Sequence, residues 1–121
     1  MYESFREMPV WNNSLHLSGE VFRMTSGLPR SEDYGLCSQL RRASNSVGAN
    51  IAEGFGRDGT KEKMQFYRIS RGSAYEVIHH LIYGVQVKYF ERAKVNILIK
   101  EYEKMIFDLN KLLRSLMEVG K

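Results

Sequence analysis

An all-α fold, an antiparallel up-down-up-down four-helix bundle, is what this 121-residue chain predicts. Three observations point there. Apolar residues recur at steps of three and four through most of the chain, the spacing of a helical stripe. The only two prolines, Pro9 and Pro29, sit at segment boundaries, where a helix tolerates them. No segment alternates convincingly with period two, and Asp58-Gly59 is flanked by helical rather than strand signals. Short connections between four amphipathic segments favour antiparallel neighbours.

Helix one is expected over about 9–25, with Pro9 in its first turn. Val10, Leu17, Val21 and Met24, beside Trp11, Leu15, Ser18 and Phe22, would form a wide core face, and Gly27 is the candidate C′ residue. Helix two is expected over about 31–54, with Ser31 as N-cap and Glu32 and Asp33 complementing the dipole. Its apolar stripe is Leu36, Leu40, Ala43, Val47 and Ile51. Ser44, Gly48 and Ala52 form a stripe of small residues that lets another helix come close. Helix three is expected over about 60–88, capped by Thr60, with Phe66, Ile69, Ser73, Val77, Leu81 and Val85 toward the core and Ala74, Ile78 and Ile82 beside them. Helix four is expected over about 91–119. Val95, Tyr102, Leu109 and Leu116 repeat every seven residues, with Leu98, Met105 and Leu112 between and Ile99, Ile106 and Leu113 widening the stripe. That width is the bundle pattern rather than a coiled-coil seam. The whole chain, 1–121, reads as a single domain.

Beside the apolar stripe of helix two runs an ordered polar one. Arg42, Ser46, Asn50, Glu53 and Arg57 recur at three- and four-residue steps. A solvated face has no need of such order. The stripe points to a structural polar network of Arg42, Ser46, Asn50, Glu53, Ser73 and Glu76 at a helix or subunit interface, with Arg42 able to pair with Glu53 or Glu76.

Composition narrows the class. A core of this size needs no staple, and the single cysteine, Cys37, cannot form an intrachain disulfide. A reducing, cytoplasmic setting follows. No stretch is long enough and apolar enough to span a membrane, and the first residues carry acids rather than a signal peptide's apolar core. Net charge is +4, and residues 36–75 alone carry a net +4. That permits an anionic partner such as RNA or DNA. Arg41, Arg57, Lys61, Lys63, Arg68 and Arg71 are the candidate nucleic-acid contacts, with Arg41 the freer of the Arg41-Arg42 pair to face a phosphate.

No catalytic signature stands out. Gly54-Phe55-Gly56-Arg57-Asp58-Gly59 matches G-x-G-x-x-G, but a helix precedes it where the dinucleotide motif needs a strand. Glu76-Val77-Ile78-His79 has the Glu-x-x-His spacing of di-iron bundles, which need two copies and further glutamates. Only one copy is present, with Glu53 a possible extra carboxylate. Cys37 has no C-x-x-C partner, and His16 has no evident acid. No cofactor and no metal site are expected.

The runs Glu32-Asp33-Tyr34-Gly35-Leu36, Gln39-Leu40-Arg41-Arg42-Ala43, Ser46-Val47-Gly48-Ala49-Asn50-Ile51-Ala52-Glu53-Gly54 with Arg57, and Gly72-Ser73-Ala74-Tyr75-Glu76 carry a family resemblance. From Trp11 to helix four the chain resembles the four-helix-bundle proteins encoded in intervening sequences of bacterial 23S ribosomal RNA genes. It also looks like a relative of the accessory variability protein of diversity-generating retroelements, a basic pentameric bundle associated with nucleic acid and a reverse transcriptase. The resemblance implies a left-handed antiparallel bundle that assembles as a ring, commonly a pentamer, and brings no catalytic residues. Gly48 stands where the family often has proline, and Lys88 where glycine is common.

The expectation is a non-enzymatic homo-oligomer that binds structured RNA or DNA through a repeated basic surface with little sequence specificity. A protein-interaction scaffold with no nucleic-acid role is the alternative, and a metal-dependent bundle enzyme the remote one.

Overall fold

The computed structural model describes residues 1–119, and all regular structure among them is helical. Four α-helices run α1 (Pro9–Thr25), α2 (Leu36–Phe55), α3 (Thr60–Gln86) and α4 (Arg92–Val119), with 3-10 turns at Phe5–Glu7 and Arg30–Glu32. The expected span of 1–121 extends two residues beyond the described ones. The chain folds as a four-helix bundle. α2 and α3 share its most extensive interface, α1 packs on α2, α4 packs on α3, and the α1–α4 seam is the sparsest.

The core of α2 is the apolar stripe itself: Leu36, Leu40, Ala43, Val47 and Ile51 are all buried. α4 buries Val95, Leu98, Tyr102, Met105, Ile106, Leu109 and Leu113, with Ile99, Leu112 and Leu116 packed partly against them. The other two helices match expectation only in part: α1 buries Val10, Leu17 and Val21 as predicted. α3 directs Tyr67, Ser70, Ala74, Val77, Leu81 and Gly84 inward and leaves Ile69 and Ile82 exposed. In the first half of α3 the core face is shifted by one residue, or about 100°, from the one predicted, whereas Val77 and Leu81 are buried as predicted. α1 buries Ser14 and Thr25 while Leu15 and Phe22 remain exposed.

The reason is the closeness of the helices. The Ser70 hydroxyl donates to the Val47 carbonyl at 2.7 Å, and the Ser18 hydroxyl donates to the Ser44 carbonyl at 2.9 Å. Such bonds need short side chains where backbones meet. A Cβ on Gly54 would lie 2.8 Å from the Tyr67 ring, and one on Gly48 would lie 2.7 Å from Ser14 Oγ. Position 48 is therefore a contact point between α1 and α2.

Helix ends also depart from the sequence reading. α2 begins at Leu36, not near Ser31, because Arg30–Glu32 closes a 3-10 turn first. Gly35 occupies the N-cap position without a side-chain bond, and the Glu32 carboxylate accepts the Leu36 N–H from four residues back at 3.0 Å. Thr60 is the first residue of α3 rather than its cap, which is Gly59. Gly27 does not adopt a left-handed conformation, and Ser26 closes α1 in ordinary helical geometry. α3 stops at Gln86 in a Schellman motif. Tyr89 N–H bonds to Gly84 O at 2.8 Å, Lys88 N–H bonds to Val85 O at 3.0 Å, and Lys88 carries φ 68°. A left-handed residue with a Cβ is strained by about 1–2 kcal/mol.

Replacing Lys88 with glycine is expected to stabilise the fold by about 1 kcal/mol, the strain relieved less the extra unfolded-state entropy of glycine. A lower denaturation midpoint for Lys88→Gly would contradict this account of the α3 terminus. The Tyr102 hydroxyl is buried with no hydrogen-bond partner among the described residues, and burial pushes its ionisation far above the usual phenol range. Tyr102→Phe removes an unsatisfied polar group and is expected to raise stability by about 1 kcal/mol in urea denaturation.

Candidate nucleic-acid interface

The polar stripe of α2 meets α3 along one seam. Arg42 pairs with Glu76, and His80 Nε2 lies 3.2 Å from the same Glu76 oxygen. One turn on, Ser46 and Ser73 hydroxyls bond at 2.9 Å, and the Asn50 amide donates to the Ser46 carbonyl at 2.8 Å and to its hydroxyl at 3.0 Å. Glu53 pairs with Arg57 at 3.0 Å. The Arg42 side chain is 59% exposed, so its pair contributes no more than about 1 kcal/mol. The seam sets register more than it adds stability. His80 was not expected in it; its position four residues after Glu76 was the available signal.

The basic side chains have diverse uses. Arg41, expected to be free, folds back on α1. Its Nε donates to Thr25 Oγ1 at 2.8 Å, Nη2 donates to Phe22 O and Ser26 Oγ, and the guanidinium lies 3.9 Å from the Phe22 ring centroid. Two hydroxyls and an aromatic face at the end of α1 outcompete solvent. Lys63 donates to Phe55 O at 2.7 Å and Gly54 O at 3.3 Å, so it caps the C-terminus of α2. Arg57 lies between Glu53 and Glu62 over the Phe66 ring. Arg71 donates to Asn110 Oδ1 on α4 at 2.8 Å. Lys61 and Arg68 are exposed and have no ion-pair or hydrogen-bond partner among the described residues. The six candidate contacts therefore do not form one free patch: Arg41 and Lys63 are occupied with helix ends, while Lys61, Arg68 and Arg71 share α3.

No three His, Cys, Asp or Glu side chains converge among the described residues. Glu76 turns to Arg42, Glu53 turns to Arg57, and His79 is exposed against the edge of His80. Cys37 is buried. No described helix is long and apolar enough to cross a membrane. The thin α1–α4 seam leaves an open groove of about 700 Å³, floored by Met24, Phe90 and Leu98 and rimmed by Glu20, Arg23 and Glu101.

Fold and seam together define a four-helix bundle whose α2 polar stripe bonds to α3. The 23S rRNA-intervening sequence protein family model matches residues 6–111, and the chain belongs to that family. A solved structure from Bacteroides thetaiotaomicron, a protein of unknown function of the S23 ribosomal protein family, shares the fold. Its TM-score is 0.80 at 18% identity, over 86% of this chain and 97% of that one. No curated protein matches the sequence.

The Glu32 carboxylate, which caps α2, also accepts the Tyr89 hydroxyl at 2.9 Å. The Leu36 amide first, and Tyr89 second, hold its pKa below the usual carboxylate value. A lowered folded-state pKa means the tie contributes above the unfolded pKa and is lost as pH falls through the folded one. Glu32→Gln is expected to lower Tm slightly at neutral pH, with the gap closing as wild type is acidified below the usual glutamate pKa of about 4.3. A gap that stays constant over that range would show that the charge plays no part.

Proposed function

We propose that this protein is a non-enzymatic, cytoplasmic bundle that associates with itself, as a pentameric ring, and binds RNA or DNA with little sequence specificity. One observation carries the nucleic-acid reading. α3 presents Lys61 and Arg68 to solvent without acidic partners among the described residues, with Arg68 one turn from Arg71, within the segment that holds the chain's positive excess. Self-association is supported by the exposed Leu15 and Phe22, seven residues apart on one face of α1, since large apolar side chains grouped on a surface mark interaction sites. In a ring, a weak patch repeated on each copy gains affinity through avidity. The same exposed residues favour a second reading, a scaffold that recruits another protein.

Light scattering with the absorbance ratio at 260 and 280 nm reads mass and co-purified nucleic acid together. A salt titration of binding to structured RNA and to DNA then tests the patch. Affinity is expected to fall steeply with salt, and Lys61→Ala/Arg68→Ala is expected to flatten the logarithmic slope by about 0.7–0.9 per lost phosphate contact. Negligible binding at low salt, with one captured protein partner, would favour the scaffold.

A further inference from the structure

We infer that the outer face of the α3–α4 pair is a platform for single-stranded nucleic acid, on which Tyr75 and Phe107 stack bases while Arg68, Arg71, Lys111 and Arg114 hold phosphates. This rests on the nucleic-acid reading above and gives it a substrate class and a second helix.

The geometry follows from two rows. Arg68, Arg71 and Tyr75 stand at i, i+3 and i+7 on α3; Phe107, Lys111 and Arg114 stand at i, i+4 and i+7 on α4. Each set therefore occupies one helix face. The bond from Arg71 to Asn110 joins the rows. The helices run antiparallel through a short turn, so stepping either way from that bond sets Tyr75 level with Phe107 and Arg68 level with Arg114. The two aromatic side chains are 56% and 58% exposed.

The chemistry of the rows selects the occupant. They hold four cations and no acid; on α4, Asp108 beside Phe107 pairs with Lys104 at 3.4 Å, and Glu103 and Glu118 lie one turn beyond either end of the row. Such a face suits a polyanion, whereas the core of a protein interface is depleted of charge. The Lys111 ammonium lies 5.8 Å from the Phe107 ring centroid, so a phosphate held there brings its base beside the ring. Arg71 spends one N–H on Asn110 and keeps others for a second acceptor. Flat aromatic faces add nothing for a duplex, whose bases are already stacked, but they bind unpaired bases of any identity.

The test uses the full chain and a labelled mixed-sequence RNA of about 12 nucleotides, free or annealed to its complement, read by fluorescence anisotropy. Far-ultraviolet circular dichroism checks that each variant folds. Tyr75→Ala/Phe107→Ala is expected to weaken single-strand binding by about tenfold or more and leave duplex binding unchanged, while Phe107→Trp retains it. Lys111→Ala/Arg114→Ala is expected to weaken both forms. If the aromatic variant binds single strands like wild type while Lys61→Ala/Arg68→Ala weakens binding, the platform is wrong and the broader nucleic-acid reading stands. If wild type binds neither form, both fall. If the aromatic variant changes the mass of the assembly instead, this face is a contact between copies and the inference is overturned.

Discussion

The close approach of α2 to both its neighbours is the constraint on which the bundle depends. Small residues stand at the points of contact: Gly48 against α1, Gly54 against the Tyr67 ring, and Ser70 and Ser18 at the carbonyls of Val47 and Ser44. Those carbonyls already belong to the α2 ladder, and each accepts a second bond from a facing hydroxyl. The helices are thereby pinned in rotation as well as distance. Once α3 is fixed against α2, Arg42 reaches Glu76 and Ser46 reaches Ser73 without further adjustment.

The same closeness decides the fate of the positive charges. Arg41 and Lys63 each lie where a helix ends against its neighbour; Arg41 adds a donor to the Phe22 carbonyl, which already accepts the Ser26 N–H, and Lys63 bonds the Phe55 carbonyl in the last turn of α2. Cations are favourable at helix C-termini, so these two act as intramolecular caps. Counting lysines and arginines along residues 36–75 therefore overstates the charge available to a partner.

The sequence made the architecture and the α2 stripe legible because α2 has one apolar face and a distinct polar one. Its core was read residue by residue, from Leu36 to Ile51. α3 was harder, since isoleucines lie on several sides of it. Its core face carries Ser70, Ala74 and Gly84 among its residues in place of bulky ones, so hydrophobicity ranks Ile69 and Ile82 above them. The start of α2 was misplaced because its first N–H is satisfied by Glu32 from outside the helix, and no propensity scale marks that. Arg42 opposite Glu76 could be anticipated from spacing. Tyr89 at Glu32, joining residues 57 positions apart, could not, because it depends on where two separate turns meet in space.

The thin α1–α4 seam has a kinetic meaning. Each extensive interface joins helices adjacent along the chain, so most of the bundle forms without closing a long loop. Topologies dominated by local contacts fold fast. Only the return of the first helix to the last requires distant parts of the polypeptide to find one another, and it secures little buried surface. Closure of the α1–α4 seam between the α1–α2 and α3–α4 pairs is thus the natural last event in folding, and its parting the lowest-cost opening of the native state.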